Sequence, residues 1–367
     1  MEDALVCLQP RELETYSCWS DLPQELLSVI LSQIFLPDRC NFKLVCKSWN
    51  LTSPIPQSLP PPVESPYFNS PCLMFSNWSN NSWKLFHSLY NQFYNLDFQE
   101  LKDAKNHFSK YGWLFMSRDE LTLFFFNPFT NEKVELPSIT CSFSSVCFTT
   151  PPTSPDCTVA GIFSSSTIRD IDFGLLKVGD KKWKSQGFEN TDGYFWISTC
   201  PPLYYNGVYY CLDSHSRNIY VFDPTEEDNW RWVPYRKTSR DEEEEKDKDE
   251  LHEHYMVEVE GDIWGVFVTK KERRVSVKKL DSSHMRWIEL ETLGNKCLYV
   301  SPNGSFAETC TVNGIANKIY FNKFHGKSGV LFSLKSGMYY SVEGDFASEG
   351  AYGLVEVDYG AWIKPTL

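Results

Sequence analysis

The sequence predicts an α+β multidomain chain, a small helical module followed by an all-β, propeller-like domain of about six blades. Three observations carry this expectation. A helical apolar period is confined to residues 19–49, and a stretch with five prolines in ten residues follows at 53–62. Beyond it the apolar period is mostly two, broken by turn signals at near-regular intervals.

The helical module opens at Trp19-Ser20-Asp21-Leu22-Pro23, with Pro23 placed where a missing N–H costs a helix nothing. Leu26, Ile30 and Ile34 then recur with Leu27 and Leu31 at three- and four-residue spacing and form one wide apolar stripe. After a break at Leu36-Pro37, Asp38 is suited to cap a second helix whose Phe42, Val45, Cys46 and Trp49 share a face. So short a module cannot bury such stripes alone, so a partner is expected.

The proline-rich stretch forbids helix and central strand and reads as a stiff linker. The expected organisation is therefore an N-terminal tail at 1–18, the module at 19–52, the linker at 53–65 and the β domain at 66–367.

Within the β domain, hinge turns fall at Asn127-Pro128-Phe129-Thr130, Gly179-Asp180, Asp223-Pro224-Thr225, Asp281-Ser282 and Lys335-Ser336-Gly337, separated by 52, 44, 58 and 54 residues. A sixth lies upstream around His87 to Gln92. Periods of about 40 to 50 residues with four short strands each are those of propeller blades. Asn206-Gly207 and Glu260-Gly261-Asp262 sit between apolar runs and predict tight antiparallel hairpins. An aromatic content of 16% suits such pleated, half-buried surfaces.

The net charge of -13 disfavours nucleic acid and anionic membrane surfaces as partners. Much of it is local: Arg240 to Glu250 holds eight acids against three bases, and an acidic disordered insert is expected at 239–253. The first residues carry charge in place of a long apolar run, no stretch is long enough to span a bilayer, and the twelve cysteines show no C-x-x-C pair. Free thiols in the cytoplasm and/or nucleus are expected. Lys270-Lys271-Glu272-Arg273-Arg274 has the composition of a nuclear-import cluster but fits a polar hairpin tip better.

Two stretches carry a resemblance. Trp19-x-Asp21-Leu22-Pro23-x-Glu25-Leu26-Leu27-x-x-Ile30-Leu31, with Val45-Cys46-Lys47-x-Trp49, closely resembles an F-box. Gly112-Trp113-Leu114, Asn206-Gly207-Val208-Tyr209-Tyr210, Gly261-Asp262-Ile263-Trp264 and Ala316-Asn317-Lys318-Ile319-Tyr320-Phe321 are similar to the F-box-associated β domain of plant F-box proteins, a degenerate, kelch-like propeller, although the chain has no Gly-Gly doublet. The first resemblance implies docking on the Skp-type linker subunit of an SCF-type cullin-RING ubiquitin ligase. It implies that Leu22, Pro23, Leu26, Leu27, Ile30, Leu31, Val45, Cys46 and Trp49 form or support that interface. The β domain of that family has a largely unassigned biochemical function; in this chain it is expected to hold a target protein.

No nucleophile elbow or phosphate loop occurs, so no catalytic residue and no cofactor is expected. His252-Glu253-His254 has metal-ligating residue types but lacks a third ligand, so no metal is expected either. Trp230, Trp232 and Trp287 read more readily as packing between sheets than as a recognition face. The expectation is a non-catalytic substrate adaptor. The alternatives are a scaffold that competes for the linker subunit and, further off, a propeller enzyme with titratable groups at its channel mouth.

Overall fold

The computed structural model describes residues 19–33, 45–50 and 70–365, apart from 78–81, 89–90, 97, 120, 165–169, 190–194, 226–229, 236–250, 270–273, 311–314, 343–346, 349–353 and 358–359. The chain divides into two compact units, Met1–Phe68 and Asn69–Leu367.

The first unit contains a short 3-10 turn, Trp19–Asp21, a helix α1, Gln24–Gln33, and a short helix α2, Lys47–Asn50. The Leu27 N–H donates to the Pro23 carbonyl at 3.1 Å, which puts Pro23 at the helix start, where its missing donor is not needed. The second helix begins later than the sequence suggests: Val45 and Cys46 precede it as irregular backbone, and Asp38 lies outside the described residues. The tail and the proline-rich linker also lie outside them.

The second unit is a six-bladed β-propeller. Blades 2 to 5 are regular four-stranded meanders in chain order, spanning residues 104–135, 143–189, 203–235 and 251–289. Their inner strands are β4 (Ala104–Lys110), β8 (Phe143–Phe148), β12 (Leu203–Tyr205) and β16 (Leu251–Val259). Five of the six expected hinge turns fall between the third and fourth strands of a blade, counted from the inside, and Lys335-Ser336-Gly337 falls between the fourth and fifth of blade 6. At three of them the leading residue closes the turn with its own side-chain oxygen. Asn127 Oδ1 accepts the Phe129 N–H at 2.9 Å, Asp223 Oδ1 the Thr225 N–H at 3.0 Å and Asp281 Oδ1 the Ser283 N–H at 3.1 Å. The turns between first and second strands also repeat. Tyr111-Gly112, Asn206-Gly207 and Glu260-Gly261 all have positive φ at both positions, the geometry that matches strand twist in a two-residue hairpin.

Two blades depart from the meander. In blade 1, β1 (Cys72–Asn77) pairs on one side with β2 (Ser82–His87) and on the other with β27 (Ala361–Ile363), so the chain's last strand supplies the inner strand of its first blade. Trp362 seals this joint, 2% exposed, with its ring 5.0 Å from Tyr299. In blade 6, β20 (Lys296–Val300) pairs in parallel with β22 (Lys318–His325), and β21 (Phe306–Thr309) lies inside it as the innermost strand. The expected insert at 239–253 is corrected at its end. β16 begins at Leu251, and Glu253 is tied into the sheet, its carboxylate paired with Lys323 of β22. Residues 236–250 lie outside the described residues.

Aromatic and aliphatic side chains from facing sheets fill the spaces between blades. Phe173 and Phe222 stack at 3.7 Å between blades 3 and 4, each fully buried. Burial of such a side chain stabilises by about 1.5–3 kcal/mol.

Candidate functional site

In the helical unit the structure separates the nine expected interface residues. Leu27 is fully buried and packs against Leu22, Ile30 and Trp49, which form the unit's small core. Trp49 donates from Nε1 to the Trp19 carbonyl at 3.0 Å and meets the Trp19 ring at 6.5 Å, while Ser48 Oγ donates to the Ser20 carbonyl at 2.9 Å. These contacts clamp the second helix to the opening turn. Leu26, Pro23 and Val45 are exposed, Leu26 at 51% and Val45 at 56%. Val29 and Trp19, which the sequence reading left out of the site, are exposed as well. Cys46 is half-buried, and its hydrogen bond with Ser48 holds its thiol below the ordinary pKa. The Leu31 side chain lies outside the described residues. Leu26, Val29, Val45 and Trp19 thus present large apolar groups at the surface of this unit.

In the propeller, the β20–β21 connection, residues 301–305, forms a plug that packs on β4. The Ser109 N–H of β4 donates to the Asn303 carbonyl at 2.8 Å, and Asn303 Nδ2 donates to the Asn106 carbonyl at 3.0 Å. Blade 6 thereby reaches the inner strand of blade 2. Gly304 permits the approach: a Cβ there would lie 2.5 Å from the Ser109 carbonyl oxygen. Sequence reading missed this plug, and its one signal was the turn-forming run Ser301-Pro302-Asn303-Gly304-Ser305 between two strands.

Beside the plug lies a shallow cleft with walls from five blades. Phe108 and Lys110 come from blade 2, Phe148 from blade 3, Tyr204 from blade 4, Met256 from blade 5 and Ser305 from blade 6. Phe108 and Phe148 meet edge-on at 5.3 Å. Cys147, also at the cleft, has its thiol pushed up to about 12 by burial, so it is a neutral apolar group at physiological pH. The lining is mainly aromatic and aliphatic, without paired acid and base groups.

The other candidates fall into packing or pairing roles. Trp230 packs edge-on against Phe222, Trp232 stacks on Tyr220, and Trp287 packs on Phe267 while donating from Nε1 to the Arg217 carbonyl at 3.1 Å. His254 is 7% exposed and hydrogen-bonded to Ser198 Oγ. Burial lowers its pKa to about 4, against the attraction of Asp213 and Glu253. Asp213 is itself occupied by the N–H groups of Trp196, His215 and Ser216. Serine and histidine here form an inter-blade tie, with the aspartate held by its own turn. Glu253 serves Lys323 and Tyr255, and no metal-binding cluster occurs among the described residues. No helix among them is long and apolar enough to cross a membrane. Of the basic cluster, residues 270–273 lie outside the described residues, between β17 (Asp262–Thr269) and β18 (Val275–Asp281).

Residues 19–54 match the F-box domain, and residues 69–343 match the KIB1-4 beta-propeller, a label that stands in place of the F-box-associated β domain suggested by resemblance. Similar proteins include the F-box protein At3g56470 of Arabidopsis thaliana, 28% identical, covering 86% of this chain and 82% of its own length. The F-box/kelch-repeat protein At1g57790 of the same plant is 28% identical over 95% of this chain and 94% of its own. The closing strand β27 lies beyond the matched stretch, so the ring is completed by residues outside it. The chain belongs to the KIB1-4 beta-propeller family and carries an F-box domain ahead of its propeller.

Proposed function

We propose that this chain is the substrate-recognition subunit of an SCF-type cullin-RING ubiquitin ligase, docking the Skp-type linker through its F-box and holding a target protein on its propeller. The observation that carries the reading is the exposed apolar surface of the F-box, Leu26, Val29 and Val45, beside a core cluster that Leu22, Leu27, Ile30 and Trp49 form among the described residues. Burying side chains of this size contributes about 1.5–3 kcal/mol each, enough for a few of them to offset the cost of association. Catalysis is then by proximity. A tethered target lysine meets the charged ubiquitin-conjugating enzyme at high effective concentration, and no catalytic residue of this chain is required. Both compartments where such ligases work, cytoplasm and nucleus, suit the free thiols of the chain.

The test is reconstitution. The full chain, mixed with purified linker, cullin and RING subunits, is expected to elute as one complex and to become ubiquitinated itself when the conjugating enzyme and ubiquitin are added. Failure to join the complex refutes the adaptor role. Joining without any ubiquitin transfer favours the competing-scaffold reading.

A further inference from the structure

We propose that Cys297 and Cys310 are a redox pair, joined by a two-electron oxidation into a disulfide that staples β20 to β21 and so holds the plug-bearing hairpin closed. The inference is independent of the adaptor reading.

The strand register brings the two side chains together. Cys297 of β20 lies opposite Glu308 of β21, and Cys310 stands two residues beyond Glu308, so both cysteines share one face of the hairpin. The Cys310 N–H donates to the Asn295 carbonyl at 2.8 Å, which carries the pairing one residue past the end of β21. Both sulfurs approach the Glu308 carbonyl oxygen, Cys297 Sγ at 3.7 Å and Cys310 Sγ at 3.9 Å, and the two thiols hydrogen-bond to each other. Cys147 feels Cys157, and Cys211 feels Cys147 and Cys200, yet none of these pairs shares a hydrogen bond.

Cys310 is the half-buried member, and Cys297, 2% exposed, lies behind it. Hydrogen peroxide is the oxidant that completes the balance. The Cys310 thiolate attacks one peroxide oxygen, the O–O bond breaks, and the departing hydroxide takes up the Cys310 proton and leaves as water. The sulfenic acid so formed is attacked by the Cys297 sulfur, its hydroxyl leaves as water with the Cys297 proton, and the S–S bond forms. Two thiols are oxidised and one peroxide is reduced to two waters. Burial raises the Cys310 thiol, opposed by the Cys297 hydrogen bond and by the Lys296 and Lys318 ammoniums, and burial pushes the Cys297 thiol well up. Scarce thiolate makes the pair slow to react, so it answers sustained oxidant. The same penalty on charge favours the neutral disulfide and makes both thiols poor leaving groups, so the bond resists reduction once formed.

Trypsin releases residues 297–318 as one peptide that holds both cysteines and no others, so mass spectrometry reads the pair directly. The full chain is treated with hydrogen peroxide, then denatured and alkylated. This peptide is expected to be two hydrogens lighter and free of alkyl groups, and cleavage after Glu308 is expected to leave its two halves joined. The urea midpoint of the oxidised chain is expected to rise by about 0.5–1 M and to return on dithiothreitol, the scale of a disulfide closing a short loop. In Cys310→Ser, shown to be folded by circular dichroism, Cys297 is expected to be alkylated and the reversible rise to be absent. Alkylation or over-oxidation of both cysteines in place of the bond, or a disulfide from either to another cysteine, overturns the proposal. The bond without a midpoint rise overturns the staple, as does a reversible rise that persists in Cys310→Ser.

Discussion

Replacing Gly304 by alanine tests the packing of the plug on β4. Its φ of +126° lies where an L side chain is strained, at about 1–3 kcal/mol. The added Cβ would stand 2.5 Å from the Ser109 carbonyl oxygen, 3.0 Å from its Oγ and 3.3 Å from its nitrogen. The first of these is backbone of an inner strand, so relief requires the plug to lift from β4. Lifting it breaks the Ser109 N–H to Asn303 bond and the Asn303 Nδ2 to Asn106 bond, each a net contribution of about 1 kcal/mol, and leaves the buried Ser109 N–H without an acceptor. Together these give a loss of about 4 kcal/mol. Equilibrium urea unfolding followed by tryptophan fluorescence measures it, since the buried tryptophans Trp83, Trp113, Trp230 and Trp362 all lie in the propeller. Asn303→Ala, which removes only the side-chain bond, is expected to cost about 1 kcal/mol. A Gly304→Ala loss below about 1 kcal/mol would refute the close packing of plug on β4.

Truncation after Gly360 removes the strand that closes blade 1. Trp362 and Ile363 are each buried to 2% exposure or less, so the loss is about 3–6 kcal/mol from burial alone. The truncated chain is expected to unfold at lower urea, and an unchanged midpoint would show that the ring does not depend on β27. Acidification should destabilise the propeller through His254. Its folded pKa of about 4 lies below its unfolded value near 6.5, so the unfolded chain binds the extra proton between those limits. The contribution is full above pH 6.5 and is lost as pH falls towards 4, on the order of 3 kcal/mol. His254→Leu is expected to flatten the urea midpoint over that window, and an unchanged slope would place the pH dependence elsewhere.

The six hinge turns were legible because their chemistry is local. Asn127, Asp223 and Asp281 each bond to a residue two further on, and a single sequence carries that signal. The Asn206-Gly207 hairpin was legible for the same reason. What stayed hidden is long-range. The pairing of Leu73 with Trp362 joins the two ends of the propeller, and Ser109 of blade 2 meets Asn303 of blade 6, so no window of neighbouring residues contains either contact. Blade 6 hid its parallel β20–β22 pair because its strands have the same composition as a meander's. In the F-box, periodicity marked one stripe, yet it could not divide that stripe into inward and outward members. Leu26 and Leu27 are adjacent in sequence, and only the contacts with Leu22, Ile30 and Trp49 make one core and leave the other in water.

That division also decides which variant tests the adaptor role. Leu22→Ala would loosen the core around Leu27 and confuse docking with folding. A Leu26→Glu, Val45→Glu double variant alters only exposed positions. The measurement is isothermal titration of the purified Skp-type linker into the intact chain and into this variant, with circular dichroism confirming that both are folded. Burial of two such side chains is worth about 3–6 kcal/mol, so affinity is expected to fall by more than a hundredfold. Equal affinity for the folded variant, or no binding by the intact chain, would contradict the F-box surface as the docking site.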